Sequence, residues 1–138
     1  MVRNVSVGYF QSHSDNRGDL FVAEYQKEVP FPIYRVYYIC GVKNPETIRG
    51  FHAHKKLRQV MICLGGRCDV IVDDGIERET ITLDTPGKAI TIEPGIWREM
   101  TNFSENATLF VLASDVYDES DYIRDYNEFL KYVKGDKK

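Results

Sequence analysis

Long apolar runs are missing from this chain of 138 residues. Nothing approaches the ~20 consecutive apolar residues of a membrane-spanning helix, and no leader-like apolar segment opens the sequence. The expectation is a soluble, cytoplasmic protein with no membrane partner. Excess positive charge is missing too. Lys and Arg number 18 against 21 Asp and Glu, a formal net charge of -3. That balance argues against a nucleic-acid partner held by bulk charge. Cysteine is sparse. Cys40, Cys63 and Cys68 are odd in number and form no Cys-x-x-Cys pair. They read as buried, reduced thiols and not as a zinc site. No internal repeat, linker or low-complexity tract interrupts the chain, so residues 1–138 read as one domain. What is present is a 43% apolar fraction, enough for a core, and nine tyrosines. Tyrosine suits pockets and interfaces as well as cores, because its ring carries a polar tip.

The organising stretch is Arg49-Gly50-Phe51-His52-Ala53-His54-Lys55-Lys56-Leu57-Arg58-Gln59. Read as a strand, it sends His52 and His54 to one face and Ala53 to the other. Two imidazoles side by side can bind a metal or pass a proton near neutral pH. The spacing does not choose between the two; the surroundings must.

Those surroundings read as short strands. Residues 5–10 and 20–25 are the first two, separated by a polar stretch and the Arg17-Gly18 turn. Residues 33–40 are rich in β-formers, with Arg35, Tyr37 and Ile39 on one face and Tyr34, Val36, Tyr38 and Cys40 on the other. Strands follow at 59–64, 68–72, 78–83, 89–92, 97–100 and 107–113, punctuated by Gly65-Gly66, Asp73-Asp74-Gly75, Pro86-Gly87 and Pro94-Gly95. From Asp118 onward the pattern turns helical, with Tyr122, Tyr126, Phe129, Leu130 and Val133 on one stripe that reads as core packing. Gly135 ends it before a basic tail. The sum is an all-β fold, an antiparallel jelly-roll barrel with a C-terminal α-helix, whose inward strand faces line one cavity.

At this point the chain resembles the cupins. Their first motif places an acidic ligand four residues beyond His-x-His and then a glycine; here Gln59 and Gly66 stand there. In the second motif Arg98 replaces the usual His after Pro94-Gly95, with Asn102 following. Two of the four metal ligands of a metal cupin are therefore gone. A guanidinium has no lone pair to offer and repels a dication, so the expectation is no metal and no cofactor.

A His pair beside a fixed positive charge suits removal of a C–H proton next to a carbonyl. Imidazole takes the proton, and cationic or hydroxyl donors hold the developing oxyanion. Returning the proton to the neighbouring carbon shifts the carbonyl by one position. The whole chain is similar to the sugar-nucleotide 3,4-ketoisomerases, cupins acting on dTDP-4-oxo-6-deoxyglucose. The matching segments are Arg35-Val36-Tyr37-Tyr38-Ile39, the Arg49–Leu57 stretch, Trp97-Arg98-Glu99-Met100, Leu112-Ala113-Ser114 and Tyr117-Asp118-Glu119-Ser120-Asp121-Tyr122-Ile123-Arg124. The resemblance implies a product with its keto group at C3, destined for a 3-amino-3,6-dideoxyhexose of a surface polysaccharide or S-layer glycan. It also implies a homodimer, with exchanged N-terminal strands as one arrangement.

Within that frame His52 and His54 are the expected catalytic pair, with His52 as the base at C3. Arg49, Arg35 and Lys55 are candidates for the diphosphate, because planar or point cations suit phosphate oxygens. One of Tyr37 and Tyr38 faces the cavity; the expectation is Tyr38. Gln59 and Arg98 are expected to line the pocket at the vacated ligand positions, and Arg17 to lie over its mouth from its own or a neighbouring subunit. Two rival readings stand beside this one. A dTDP-sugar 3,5-epimerase would form the same kind of enolate but restore the proton to the same carbon. A non-catalytic sugar-nucleotide-binding cupin would keep the cations and need neither His.

Overall fold

The computed structural model describes residues 2–135; the basic tail beyond Gly135 lies outside the described residues. Twelve strands build it. They are β1 (Val5–Tyr9), β2 (Gln11–Asp15), β3 (Gly18–Val22), β4 (Arg35–Cys40), β5 (Arg49–His54) and β6 (Gln59–Leu64). Then come β7 (Cys68–Asp73), β8 (Arg78–Leu83), β9 (Lys88–Ile92), β10 (Trp97–Thr101), β11 (Thr108–Ala113) and β12 (Tyr122–Ile123). A single helix, α1 (Tyr126–Val133), closes the chain.

The strands form two five-stranded antiparallel sheets, ordered β1-β9-β6-β11-β4 and β12-β5-β10-β7-β8. Alternation decides which side chains meet between them. Met61, Cys63, Val70, Val72, Leu83, Ile90, Ile92, Leu109 and Val111 are all essentially sealed from solvent and form one core. The all-β jelly roll with a C-terminal helix read from the sequence is the fold observed.

Helix α1 covers the outer face of the second sheet. Phe129 is fully buried against Trp97, Ala53 and Ile123, and Tyr126 donates to Asp73 at 2.7 Å. Its N-cap is Asp125, whose side chain accepts from the Glu128 amide. The helix is shorter than the sequence stripe suggests. Asp118 caps a 3-10 turn over Glu119–Asp121, and Tyr122 and Ile123 are strand residues paired with His54 and Ala53. Tyr122 falls on the helical spacing by coincidence; it belongs to the cavity.

The N-terminal region departs further from expectation. Gln11–Asp15, polar throughout, is a strand. It pairs only with Gly18–Val22 in a separate two-stranded sheet. Every residue of β2 is exposed, so no buried face imposed alternation on its sequence. Cys40 likewise is exposed, on the outer face of β4, while Cys63 and Cys68 are buried.

Candidate active site

Strand β5, which carries both histidines, is built around an irregularity. Along β5 and β10, Arg49 faces Met100 and Gly50 faces Glu99; His52 then faces Arg98, so Phe51 is left over as a β-bulge. Gly50 takes φ 96° and Phe51 φ 53°, both in the left-handed region. A Cβ at Gly50 would sit 2.9 Å from the Arg98 carbonyl oxygen, so only glycine fits there. The extra residue changes the phase of the strand. Strict alternation would put Arg49 opposite the histidines; the bulge returns it to their side.

A cleft of about 280 Å³ results, lined by Arg35, Tyr37, Ile39, Arg49, Gly50, His52, Met100, Tyr122 and Arg124. His54 stands beside His52, their rings edge to face at 4.9 Å between centroids. Tyr122 packs against both, 5.0 Å from His52 and 4.5 Å from His54. The Arg124 guanidinium covers Tyr122 at 4.1 Å and is held by Glu119. Arg124 and Tyr117 together hold the Glu119 carboxyl well down, to about 2. Arg35 lies between the rings of Tyr37 and Tyr117.

The hydrogen bonds fix the state of each imidazole. His54 Nδ1 lies 3.0 Å from a carboxylate oxygen of Asp121. His52 Nδ1 lies 3.0 Å from the Gly50 carbonyl oxygen. Both partners can only accept, so both Nδ1 atoms carry the proton and both Nε2 atoms carry the lone pair. Each Nε2 is buried and without a hydrogen-bond partner among the described residues. Burial, followed by the charge of Arg98, pulls the His52 pKa down to about 4. The same two causes lower His54, with the His52 ring adding to them. At His54 the Asp121 carboxylate works in the opposite direction. Both imidazoles are therefore neutral at neutral pH; His52 lines the cleft, and His54 lies buried just behind it against His52 and Tyr122.

Asp121 is tied down as firmly as it ties His54. Its carboxylate also accepts from the backbone N–H of Lys56 at 2.7 Å and of Leu57 at 3.2 Å. Its own carbonyl accepts from Lys55 N–H. The sequence alone assigns no role to Asp121, Arg124 or Tyr117 and places Tyr122 in the core-packing stripe. The only signal was their membership of one matching segment; the contact from His54 to Asp121 spans 67 positions.

Several expected residues sit elsewhere. Tyr38 is corrected: its side chain is on the outer face, 64% exposed and stacked near Phe110, while Tyr37 faces the cleft. Arg98 and Gln59 do not line the open pocket. Both are at most 1% exposed, lying beneath it because the inward positions of β10 and β6 point into the barrel interior. Arg98 donates to the Gln59 side-chain oxygen and to the Ile96 carbonyl. Burial drops its pKa to about 10, which leaves it charged at neutral pH. Lys55 falls beyond the end of β5. It lines a groove of about 610 Å³ beside α1 that adjoins the cleft across Tyr122 and Arg124 but contains neither histidine. Arg17 sits exposed in the β2–β3 turn, paired with Asp15; it does not line this cleft. Arg49 and Arg35 both line the cleft.

Among the described residues no three His, Cys, Asp or Glu side chains, the His52–His54–Asp121 group included, are arranged to hold a metal ion. The positions that would complete a cupin metal site hold an amide and a guanidinium bonded to each other. This donor set does not fit a transition metal.

A cupin-like barrel with two uncharged imidazoles and a buried cation under them holds the groups that proton transfer on a bound carbonyl compound needs. The comparisons name the particular family. The family model described as FdtA: WxcM-like, C-terminal matches residues 3–134. A TDP-4-oxo-6-deoxy-alpha-D-glucose-3,4-oxoisomerase of Aneurinibacillus thermoaerophilus is 52% identical over 90% of this chain and 88% of its own length. A 3,4-ketoisomerase from Helicobacter canadensis is 46% identical, with a TM-score of 0.91 over 95% of this chain and 98% of that one. A mutant of the 3,4-ketoisomerase QdtA from Thermoanaerobacterium thermosaccharolyticum, solved with TDP-4-keto-6-deoxyglucose, is 41% identical. Its TM-score is 0.94, over 97% of this chain and 96% of that one. The chain belongs to the FdtA family of sugar-nucleotide 3,4-ketoisomerases, and it is an isomerase of the intramolecular oxidoreductase class.

Proposed function

We propose that the protein converts a TDP-linked 4-oxo-6-deoxyhexose, TDP-4-oxo-6-deoxy-D-glucose, to its 3-oxo isomer without a metal, by proton transfer through an enediolate. The observation that carries this is the pair of buried Nε2 atoms, unpartnered and held as lone-pair donors by their Nδ1 contacts. His52 Nε2 takes the proton from C3, and the C–H electron pair becomes the C3–C4 double bond. The charge moves to the C4 oxygen. The C3 hydroxyl proton passes to that oxygen through His54, whose imidazolium form is stabilised by Asp121. His52 then returns its proton to C4 as the carbonyl forms at C3. One C–H bond breaks and one forms, so no redox cofactor enters the balance. Arg49 and Arg35 hold the diphosphate, with Arg124 as a third guanidinium on the same rim.

The arrangement favours isomerisation over epimerisation because two bases stand side by side on one face of β5. Incubation in deuterated water distinguishes the two. A keto carbon at C3 with label at C4 is the expected product by NMR. Label at C3 and C5 with the ketone unmoved would establish an epimerase. A sensor without catalysis would leave the 4-oxo sugar unchanged.

The reading includes a homodimer. Tyr34 and Val36 leave an exposed apolar patch at the start of edge strand β4, and β2–β3 pairs with no other strand among the described residues, so exchange of that hairpin is one arrangement. In that arrangement Arg17 reaches the neighbouring subunit's cleft. Light scattering after gel filtration tests it; a monomer at working concentration removes it.

A further inference from the structure

Beneath the cleft lies a chain of hydrogen bonds whose direction is forced from one end. Arg98 is fully buried and has donors only. One of its Nη atoms meets the Gln59 amide, so that contact must be the Gln59 oxygen. The amide nitrogen is thereby turned the other way, where it meets the Tyr37 hydroxyl at 3.0 Å. An amide N–H can only donate, so the Tyr37 oxygen accepts. Its own proton has no acceptor among the described residues. Tyr37 lines the cleft beside His52, and burial raises its pKa above the ordinary phenol value, which keeps the proton on.

We propose that Arg98 and Gln59 are positioning residues that make Tyr37 an oxyanion donor, its O–H aimed into the cleft at the enediolate oxygen. The inference rests on the proton-shuttle reading above. Arg98 acts through Gln59 and does not touch the sugar. As the C3 proton moves to His52, charge grows on the C4 oxygen and the Tyr37 O–H bond to it shortens; that proton stays with Tyr37 throughout. The arrangement explains why a guanidinium is kept in the barrel interior with no carboxylate bonded to it. It also gives the two former ligand positions one joint task.

The polarity argument has a test that packing alone does not pass. Gln59→Glu is nearly isosteric, and the guanidinium keeps the new carboxylate ionised. A carboxylate accepts from both sides, so Tyr37 must turn its proton toward residue 59 and away from the cleft. We expect Gln59→Glu to melt at or above the wild-type temperature, since it gives Arg98 a charged partner. We expect it to lose about 10²-fold in kcat, the effect of removing one oxyanion donor, with KM changed less than about threefold. Tyr37→Phe should lose the same, and the double variant should be no worse than Tyr37→Phe, because both changes delete one hydrogen bond. All assays contain a chelator, so that the restored carboxylate recruits no metal. Retention of kcat within threefold by either single variant would overturn the inference, as would full additivity in the double variant. Wild-type protein inactive on the 4-oxo sugar would overturn the shuttle reading itself, and this inference with it.

Discussion

Along β6 the inward side chains run Gln59, Met61, Cys63; along β10 they run Arg98, Met100; along β4 they run Tyr37, Ile39. The same strands thus build a polar end and a dry end of one barrel. Burial does not distinguish the two. Arg98, His54 and Gln59 are as sealed as Met61, Leu109 and Ile90. Satisfaction does. The dry end needs no partners, while the polar end leaves four buried nitrogens unpaired among the described residues, on Arg35, His52, His54 and Arg98. A buried polar atom without a partner is costly, so this cluster marks where stability has been given up for a ligand.

Substitutions should therefore separate the two ends cleanly. The largest effect is expected from His52→Asn, a loss of about 10³-fold or more in kcat by removal of the base, with the melting temperature unchanged or raised. Asp121→Asn should follow at about 10²-fold, because the His54 tautomer is no longer enforced. Single-turnover assays with product NMR read both. Residual activity within tenfold of wild type for His52→Asn would deny it the role of base.

Leu109→Ala tests the other end. It sits wholly buried on β11 and should cost about 3 kcal/mol in urea unfolding, from lost transfer energy and the cavity left behind. Activity per folded molecule should hold within about twofold, since no side chain of the cleft is removed. A large fall in kcat with little loss of stability would show that the two ends are not separate.

Acid should find the polar end first. His52 is held at about 4 in the folded protein against ~6.5 when unfolded. The unfolded chain therefore binds a proton that the folded one refuses. Stability is complete above the unfolded value and declines as pH falls through 6.5 toward 4. From pH 7 to pH 5 His52 alone should contribute a loss of about 2 kcal/mol. Unfolding curves at the two pH values measure it, and His52→Asn should flatten the slope. An unchanged slope in that variant would place the titration elsewhere.

Legibility from sequence followed the same physics. Strands β4 to β11 announced themselves by punctuation, by alternation where one face is exposed as in β4 and β8, and by unbroken apolar runs where both faces are covered as in β6. The His pair and the loss of two cupin ligands were readable because each is a matter of residue type at a spacing. What escaped depended on three dimensions. β2 has no buried face and so no pattern. The bulge at Phe51 moves Arg49 across the strand, and Gly50 was its single local trace. Asp121 meets His54 only because β12 pairs with β5, which a helical-looking stripe concealed. The direction of the Arg98–Gln59–Tyr37 contacts required knowing that the three meet at all.

The smallest expected effect is the sharpest on the question alternation left open. Tyr37 and Tyr38 are adjacent, identical and on opposite faces of β4. The Tyr38 hydroxyl is exposed and its ring lies against Phe110 outside the barrel. Deleting that oxygen removes a solvated group, for which changes stay within about 0.5 kcal/mol. Tyr38→Phe should therefore match wild type in kcat, KM and melting temperature within error, while the same deletion one residue earlier disables the cleft. One oxygen atom removed on either side of a single peptide bond then reports which face of the strand does chemistry. A kcat loss at Tyr38 as large as at Tyr37 would mean that the outer face of β4 also closes over a substrate, and that the boundary between the working and packing parts of the barrel has been drawn in the wrong place.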